Sequence, residues 1–166
     1  MISTIGYEGA KLEDFLATLS RVDIDILIDI RERAQSRRKG FSKTALSDAL
    51  SSANIEYLHL RELGDPKPGR EAARRGDWDE FRSIFSEVIA GEAAQHAIRK
   101  IEEIAQDRRV CLLCYERDHT TCHRKMVSDI LDDRLGSRTQ HLGVRTIESL
   151  GKPGRRVLHP RQSAAA

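Results

Sequence analysis

The sequence predicts an α/β domain with a mainly parallel sheet of about five strands and helices on both faces. Short apolar segments alternate with amphipathic segments along the chain, and Val110 to Cys114 is apolar at every position. A strand that is apolar throughout is typical of a parallel sheet covered on both faces. The length of 166 residues suits one domain. We therefore expect a single domain over residues 1–150, followed by a flexible basic tail over residues 151–166.

The first half of the chain alternates predicted strands and helices. The strands are predicted at Ile2–Ile5, Ile24–Ile30 and Ile55–Leu60. Apolar side chains at helical spacing predict one helix over about Lys11–Arg21 and a second helix that follows Ser42. Two prolines and two glycines predict a loop over residues 64–69.

The second half continues the alternation. Aromatic and aliphatic side chains at helical spacing predict a helix after Asp77 and another over about residues 94–105. The apolar strand Val110–Cys114 comes next, and a helix is expected to begin near Cys122. A last short strand is predicted at Thr139–Leu142. The element order therefore favours right-handed crossovers, with the carboxyl ends of the strands along one edge.

Residues that can bind a ligand or take part in catalysis lie at the ends of three of these strands. Gly6 and Tyr7 end the first strand, Asp29–Arg31 ends the second, and Cys114–Glu116 ends the fourth. With the strand order 3-2-1-4-5, the first and fourth strands are neighbours at the switch point where ligands usually bind. The sequence therefore predicts one site at this edge.

Six short sequence boxes carry a resemblance to a known family. They are TIGYEG at 4–9, LIDIR at 27–31, SRRKGF at 36–41, LG at 63–64, CYE at 114–116 and CHR at 122–124. In this order they resemble the domain-of-unknown-function 488 family of small bacterial and archaeal proteins. The resemblance implies a Rossmann-like three-layer fold and a shared site, but no particular reaction. Its recurring positions are Gly6, Asp29, Arg31, Ser36, Phe41, Gly64, Cys114, Glu116, Cys122, His123 and Arg124.

Four residues are candidates for catalysis. Glu116 ranks first, because a carboxylate just past a buried strand can act as a general base, a nucleophile or an electrostatic partner. Asp29 is its candidate partner carboxylate. Cys122 gains thiolate character at a helix start, and His123 can exchange protons. The alternative is that Glu116 only pairs with Arg31 or Arg124 to hold the loops together.

Phosphate is the expected feature of the substrate. Arg31, Arg37 and Arg124 come from separate segments, and guanidinium groups suit phosphate. Gly6 permits close approach of the backbone to a ligand, and Tyr7 and Phe41 can stack on a base. Ser36 and Cys114 complete the predicted substrate-binding set. We expect the partner to be a phosphate-bearing small molecule or a nucleic acid.

No metal or other cofactor is predicted. Cys111, Cys114, Cys122 and His123 offer four soft donors, but Cys111 and Cys114 point to opposite faces of a strand unless the chain turns at Cys114. Cys111 is therefore expected in the core. The sequence also lacks the glycine-rich motifs of nucleotide-binding loops and the G-x-S-x-G motif of serine hydrolases.

Three functional hypotheses result. The first is an enzyme that performs hydrolytic or transfer chemistry on a nucleotide or nucleic acid; the second is a non-catalytic nucleic-acid-binding or regulatory module; the third is a small zinc or thiol-redox protein. A net charge of +2 identifies no partner by itself. The absence of a signal segment and of an apolar run near the roughly 20 residues needed to span a bilayer predicts a cytoplasmic protein without membrane contact. The oligomeric state is left open.

Overall fold

A five-stranded sheet, parallel at every pairing, forms the centre of the computed structural model, which describes residues 1–151. Its strands are β1 (Ile2–Gly6), β2 (Ile26–Asp29), β3 (Glu56–His59), β4 (Val110–Cys114) and β5 (Gln140–Leu142). The predicted α/β class with a mainly parallel sheet is confirmed. The predicted tail lies outside the described residues from residue 152 onwards.

The strand order is β3-β2-β4-β1-β5. The expected order 3-2-1-4-5 is therefore wrong, because β4 lies between β1 and β2. The expected contact between β1 and β4 is confirmed, with Gly6 opposite Cys114. On its other side, β4 places Leu113 opposite Asp29. Every residue of β4 is buried, as the central position requires of a strand with apolar side chains on both faces.

Seven helices are described, together with two short 3₁₀ helices at Arg61–Leu63 and His119–Thr121. The helices are α1 (Leu12–Arg21), α2 (Lys43–Ser52), α3 (Lys67–Arg75), α4 (Trp78–Ala90), α5 (Glu92–Asp107), α6 (His123–Leu135) and α7 (Ile147–Leu150). None of those within residues 1–151 is long and apolar enough to cross a membrane.

Two apolar clusters cover the two faces of the sheet. Leu112 of β4 belongs to the cluster that contains side chains of α4, α5 and α6. Its neighbour Leu113 belongs to the opposite cluster, with side chains of α1 and α2. Consecutive residues of a strand point to opposite faces, so β4 contributes to both clusters. The result is a three-layer arrangement, in agreement with the Rossmann-like fold that the family resemblance implies.

The predicted loop over residues 64–69 is wrong in its second half, because α3 begins at Lys67 and includes Pro68 and Gly69. Proline is tolerated in the first turn of a helix, where its missing N–H would have no partner within the helix. Gly69 packs directly against the side chain of Asp65, where a methyl group would collide with Oδ1. The contact with Gly69 therefore holds the side chain of Asp65 against the first turn of α3.

Candidate functional site at the carboxyl ends of the strands

Four side chains meet where β4 ends and α6 begins: Cys114, Glu116, Cys122 and Arg124, which we call the Glu116 site. Cys114 is the last residue of β4, and Cys122 is the N-cap of α6. The Cys122 Sγ accepts a hydrogen bond from the backbone N–H of Arg124 at 3.5 Å. Thr121 ends the preceding 3₁₀ helix, so Cys122 and not a threonine caps α6. The expected start of the helix near Cys122 is confirmed.

The reactive atoms of this site are within direct reach of one another. Cys114 Sγ lies 3.2 Å from Glu116 Oε2. The Sγ atoms of Cys114 and Cys122 lie within bonding distance of each other, while the Cα atoms of these residues are 7.6 Å apart. One ligand atom from each of Cys114, Glu116 and Cys122 lies within 4.8 Å of the others. Two cysteine sulfurs and a carboxylate therefore share one small volume.

Arg124 brings a positive charge into the same volume. Its side chain is 1% exposed, and its guanidinium donates to Cys114 Sγ at 3.5 Å and to the carbonyl oxygen of Arg117 at 2.9 Å. Burial lowers the pKa of Arg124, and the charge of Glu116 opposes that shift. Burial likewise raises the pKa of Glu116, against a backbone hydrogen bond and the charge of Arg124. The two groups stabilise each other's charged forms.

Gly6 makes room for this arrangement. A Cβ atom at Gly6 would overlap the carbonyl oxygen of Glu116 and the Nη1 atom of Arg124. The sequence predicted a close approach of the Gly6 backbone to a ligand, whereas the groups that lie against Gly6 in the structure are the protein's own Glu116 carbonyl and Arg124 guanidinium. The adjacent loop is tied to the same region, because Glu8 accepts a hydrogen bond from the backbone N–H of Arg117 at 3.0 Å.

Asp65 is a residue of this edge that the sequence analysis missed. Its side chain is buried, and the charge of Glu116 affects its pKa. Burial, reinforced by the charges of Glu116 and Glu32 and opposed by Arg70, raises the pKa of Asp65 to about 7. Its place directly after the LG box was the only signal in the sequence. Asp65 is thus a second carboxylate that interacts electrostatically with Glu116.

Within residues 1–151, two buried side-chain nitrogen or oxygen atoms have no hydrogen-bond partner, Asp65 Oδ1 and Arg124 Nε. Leaving a buried polar atom unpaired costs about 1–3 kcal/mol, so such atoms are rare in folded proteins. The charges of both residues interact with that of Glu116. The unpaired donor of Arg124 and the unpaired acceptor of Asp65 therefore belong to two residues that both interact with the charge of Glu116.

Asp29 and Arg31 lie in a neighbouring but separate group. The Arg31 guanidinium donates to both carboxylate oxygens of Asp29, at 2.8 and 2.6 Å. It also donates to the hydroxyl of Tyr7 and the carbonyl oxygen of Phe41. Tyr57 donates to Asp29 as well, at 2.6 Å. The four bonds that the Arg31 side chain donates use all but one of the five N–H groups of its guanidinium.

Tyr7 and Phe41 stack on each other, with ring centroids 4.5 Å apart and planes 9° apart. They are 2% and 0% exposed, respectively. The structure therefore brings Asp29, Arg31 and these two aromatic rings together as a packed support for the loops beside the Glu116 site.

The remaining predicted residues occupy different environments. His123 is buried, its Nε2 lies 3.0 Å from the carbonyl oxygen of Ile30, and burial lowers its pKa to about 4. Its imidazole is thus neutral near pH 7. Ser36 exchanges hydrogen bonds with Ser42, and Arg37 is exposed on the same loop. Cys111 is buried in the apolar cluster on the α1 side, as expected of a core cysteine.

Replacing Asp65 by asparagine is expected to stabilise the protein at pH 8 by about 1–3 kcal/mol, since it removes a buried, partly unpaired charge. The pKa of this carboxyl rises from 3.8 to about 7 on folding. The protein therefore loses stability as the pH rises between those values. The advantage of Asp65→Asn in urea unfolding should therefore grow from pH 4 to pH 7 and then level off. Asp48→Asn, at an exposed position of α2, is the control. A pH-independent difference would contradict the assignment.

A comparison with protein-family models matches residues 11–131 to the domain of unknown function DUF488. The matched range contains the LIDIR, SRRKGF, CYE and CHR boxes and leaves residues 4–9 outside it. The comparisons with curated proteins and with solved structures found no match. Because the family model covers well over half of the chain, the chain belongs to the DUF488 family.

Proposed function

We propose that this protein is an enzyme that performs hydrolytic or transfer chemistry on a phosphate-bearing substrate, a nucleotide or nucleic acid, at the Glu116 site. One observation carries the proposal: the only buried side-chain nitrogen and oxygen atoms without partners in residues 1–151 belong to Arg124 and Asp65, which both interact with Glu116. A purely structural cluster would satisfy such atoms internally. A buried polar atom left without a partner in a folded protein calls for an explanation such as a catalytic role or a bound ligand.

The arrangement also suits negative charge that develops during a reaction. Arg124 is held in place by its bonds to Cys114 and Arg117, and it lies in the first turn of α6, where the helix dipole favours anions. A fixed positive group in a water-poor site stabilises a transition state more strongly than it would in water. We therefore assign the stabilisation of the phosphate-bearing group to Arg124.

Glu116 is the carboxylate on which we expect the reaction to depend. It contacts the Sγ atom of Cys114 and interacts with the charge of Arg124. Asp65 replaces Asp29 as the proposed second carboxylate, because Asp29 is ion-paired with Arg31 and accepts a further hydrogen bond from Tyr57. Two carboxylates in different environments can divide acid and base roles.

Basic side chains on neighbouring loops supply further contacts for phosphate groups. Arg37 is exposed, and three basic residues and one acidic residue line a shallow depression at the start of α1: Lys11, Arg38, Lys39 and Glu13. The loop from Gly6 to Lys11 connects this depression to the Glu116 site. Their charges support a substrate that carries more than one phosphate, since surface lysines and arginines attract a phosphate backbone without reading its sequence.

Glu116→Gln tests the proposal in a screen of nucleotides and oligonucleotides against the wild-type chain. We expect at least one phosphate-bearing substrate to be turned over and the variant to lose about 100-fold or more of that rate, with substrate binding largely retained. Glu103→Gln, at an exposed position of α5, should behave as wild type. Salt-sensitive binding without turnover of any substrate would overturn the enzyme proposal and favour a nucleic-acid-binding module.

A further inference from the structure

We propose that Cys114, Glu116 and Cys122 bind a thiophilic divalent cation, Zn²⁺ in the first instance, with one coordination position left for a non-protein ligand. The proposal concerns binding and does not depend on which reaction the protein performs. One ligand atom from each residue lies within 4.8 Å of the other two. Thiolate sulfur is the donor that favours zinc over calcium or magnesium, and a carboxylate is a regular third ligand.

The spacing of the two cysteines favours metal ligands over a disulfide. The structure places their Sγ atoms within bonding distance of each other, yet their Cα atoms are 7.6 Å apart. A disulfide between Cα atoms more than about 7 Å apart requires movement of the backbone. A metal ion bridges the longer distance, because each sulfur then bonds to the metal at about 2.3 Å and not to the other sulfur.

The backbone here is held by structure on both sides. Cys114 is fixed in register opposite Gly6, and Cys122 is fixed as the N-cap of α6. The ligands are thus preorganised by two elements that the core already positions.

Arg124 takes a supporting part in such a site. Its backbone N–H donates to Cys122 Sγ and its guanidinium donates to Cys114 Sγ, both at 3.5 Å. Hydrogen bonds of this kind orient metal ligands and tune their basicity. Each of the two sulfurs therefore receives one N–H donor from a single residue.

The ligand set differs from the C-x2-C-x7-C-H pattern considered in the sequence. Cys111 lies in the apolar cluster on the opposite face of the sheet. His123 directs its Nε2 to the carbonyl oxygen of Ile30. Glu116, which the cysteine pattern did not include, takes the third position. Three protein ligands with an open fourth position is the arrangement of catalytic zinc sites.

Metal binding by the full chain is the test. Protein purified with a thiol reductant and stripped with a chelator is titrated with Zn²⁺ by calorimetry and with Co²⁺ by absorption, where thiolate ligands give a characteristic charge-transfer band. We expect one ion per chain and the cobalt–thiolate band. Cys114→Ala and Cys122→Ala should weaken Zn²⁺ binding by roughly 100-fold or more, and Glu116→Gln by roughly tenfold or more. Cys111→Ala is the matched control and should bind as wild type.

Several outcomes would overturn the proposal. They are no stoichiometric ion, a Co²⁺ spectrum without the thiolate band, equal weakening by Cys111→Ala, or a Cys114–Cys122 disulfide that persists in the reductant. If a ligand variant fails to fold, as judged by circular dichroism, the wild-type cobalt spectrum still decides whether the thiolates bind. Since no substrate is used, failure here is distinguishable from failure of the proposed enzyme activity.

Discussion

Gly6→Ala is expected to destabilise the protein by about 3 kcal/mol and to displace the Glu116 site. The added methyl group would overlap the carbonyl oxygen of Glu116 and the Nη1 atom of Arg124. The first of these belongs to the backbone, which cannot rotate away as a flexible side chain can. The loop after β4 must therefore move, and Arg124 must give up its contact with Cys114.

Urea unfolding measures the loss of stability, and a two-dimensional NMR spectrum shows whether the shifts cluster around residues 114–124. Gly143→Ala is the matched control, because a Cβ atom there meets no other atom within 4 Å and the backbone does not require a glycine. Equal stability of the two variants would mean that Gly6 does not lie against the Glu116 site as described.

The convergence of strand ends was predictable, because it depends on general rules about parallel sheets. Once β1, β2 and β4 are parallel, Gly6, Asp29 and Cys114 must end at one edge. The strand order was not predictable in the same way. It depends on which strand takes the centre, and the fully apolar β4 occupies it between β1 and β2.

The pairing of charged residues required tertiary information. Sequence patterns place Asp29 and Glu116 at the same edge, but they do not show that Tyr57 on β3 and Arg31 satisfy Asp29 completely. Asp65 was missed for a related reason: its burial depends on the start of α3 at Lys67, where proline and glycine suggested a loop. Side-chain contacts between distant segments therefore limited the prediction of the site more than the secondary structure did.

Arg31→Met is expected to destabilise the protein by about 3–5 kcal/mol, the cost of removing one partner of a buried ion pair. Asp29 is 0% exposed and Arg31 is 6% exposed. Burial alone lowers the pKa of Arg31, but the hydrogen bonds and charge of Asp29 more than offset this effect and raise it. Without Arg31, the Asp29 carboxylate keeps only Tyr57 among the side chains that donate to it.

The matched control is Arg82→Met, which breaks an exposed pair with Asp79 on α4 and should cost less than about 1 kcal/mol in the same urea experiment.

A second variant separates the effect of the unpaired charge from the effect of lost packing. Adding Asp29→Asn to Arg31→Met removes the unpaired charge, so the double variant should recover part of the lost stability. If the double variant is less stable than Arg31→Met alone, an unpaired Asp29 charge is not the cause of the destabilisation. The role of Arg31 would then lie in its bonds to Tyr7 and Phe41.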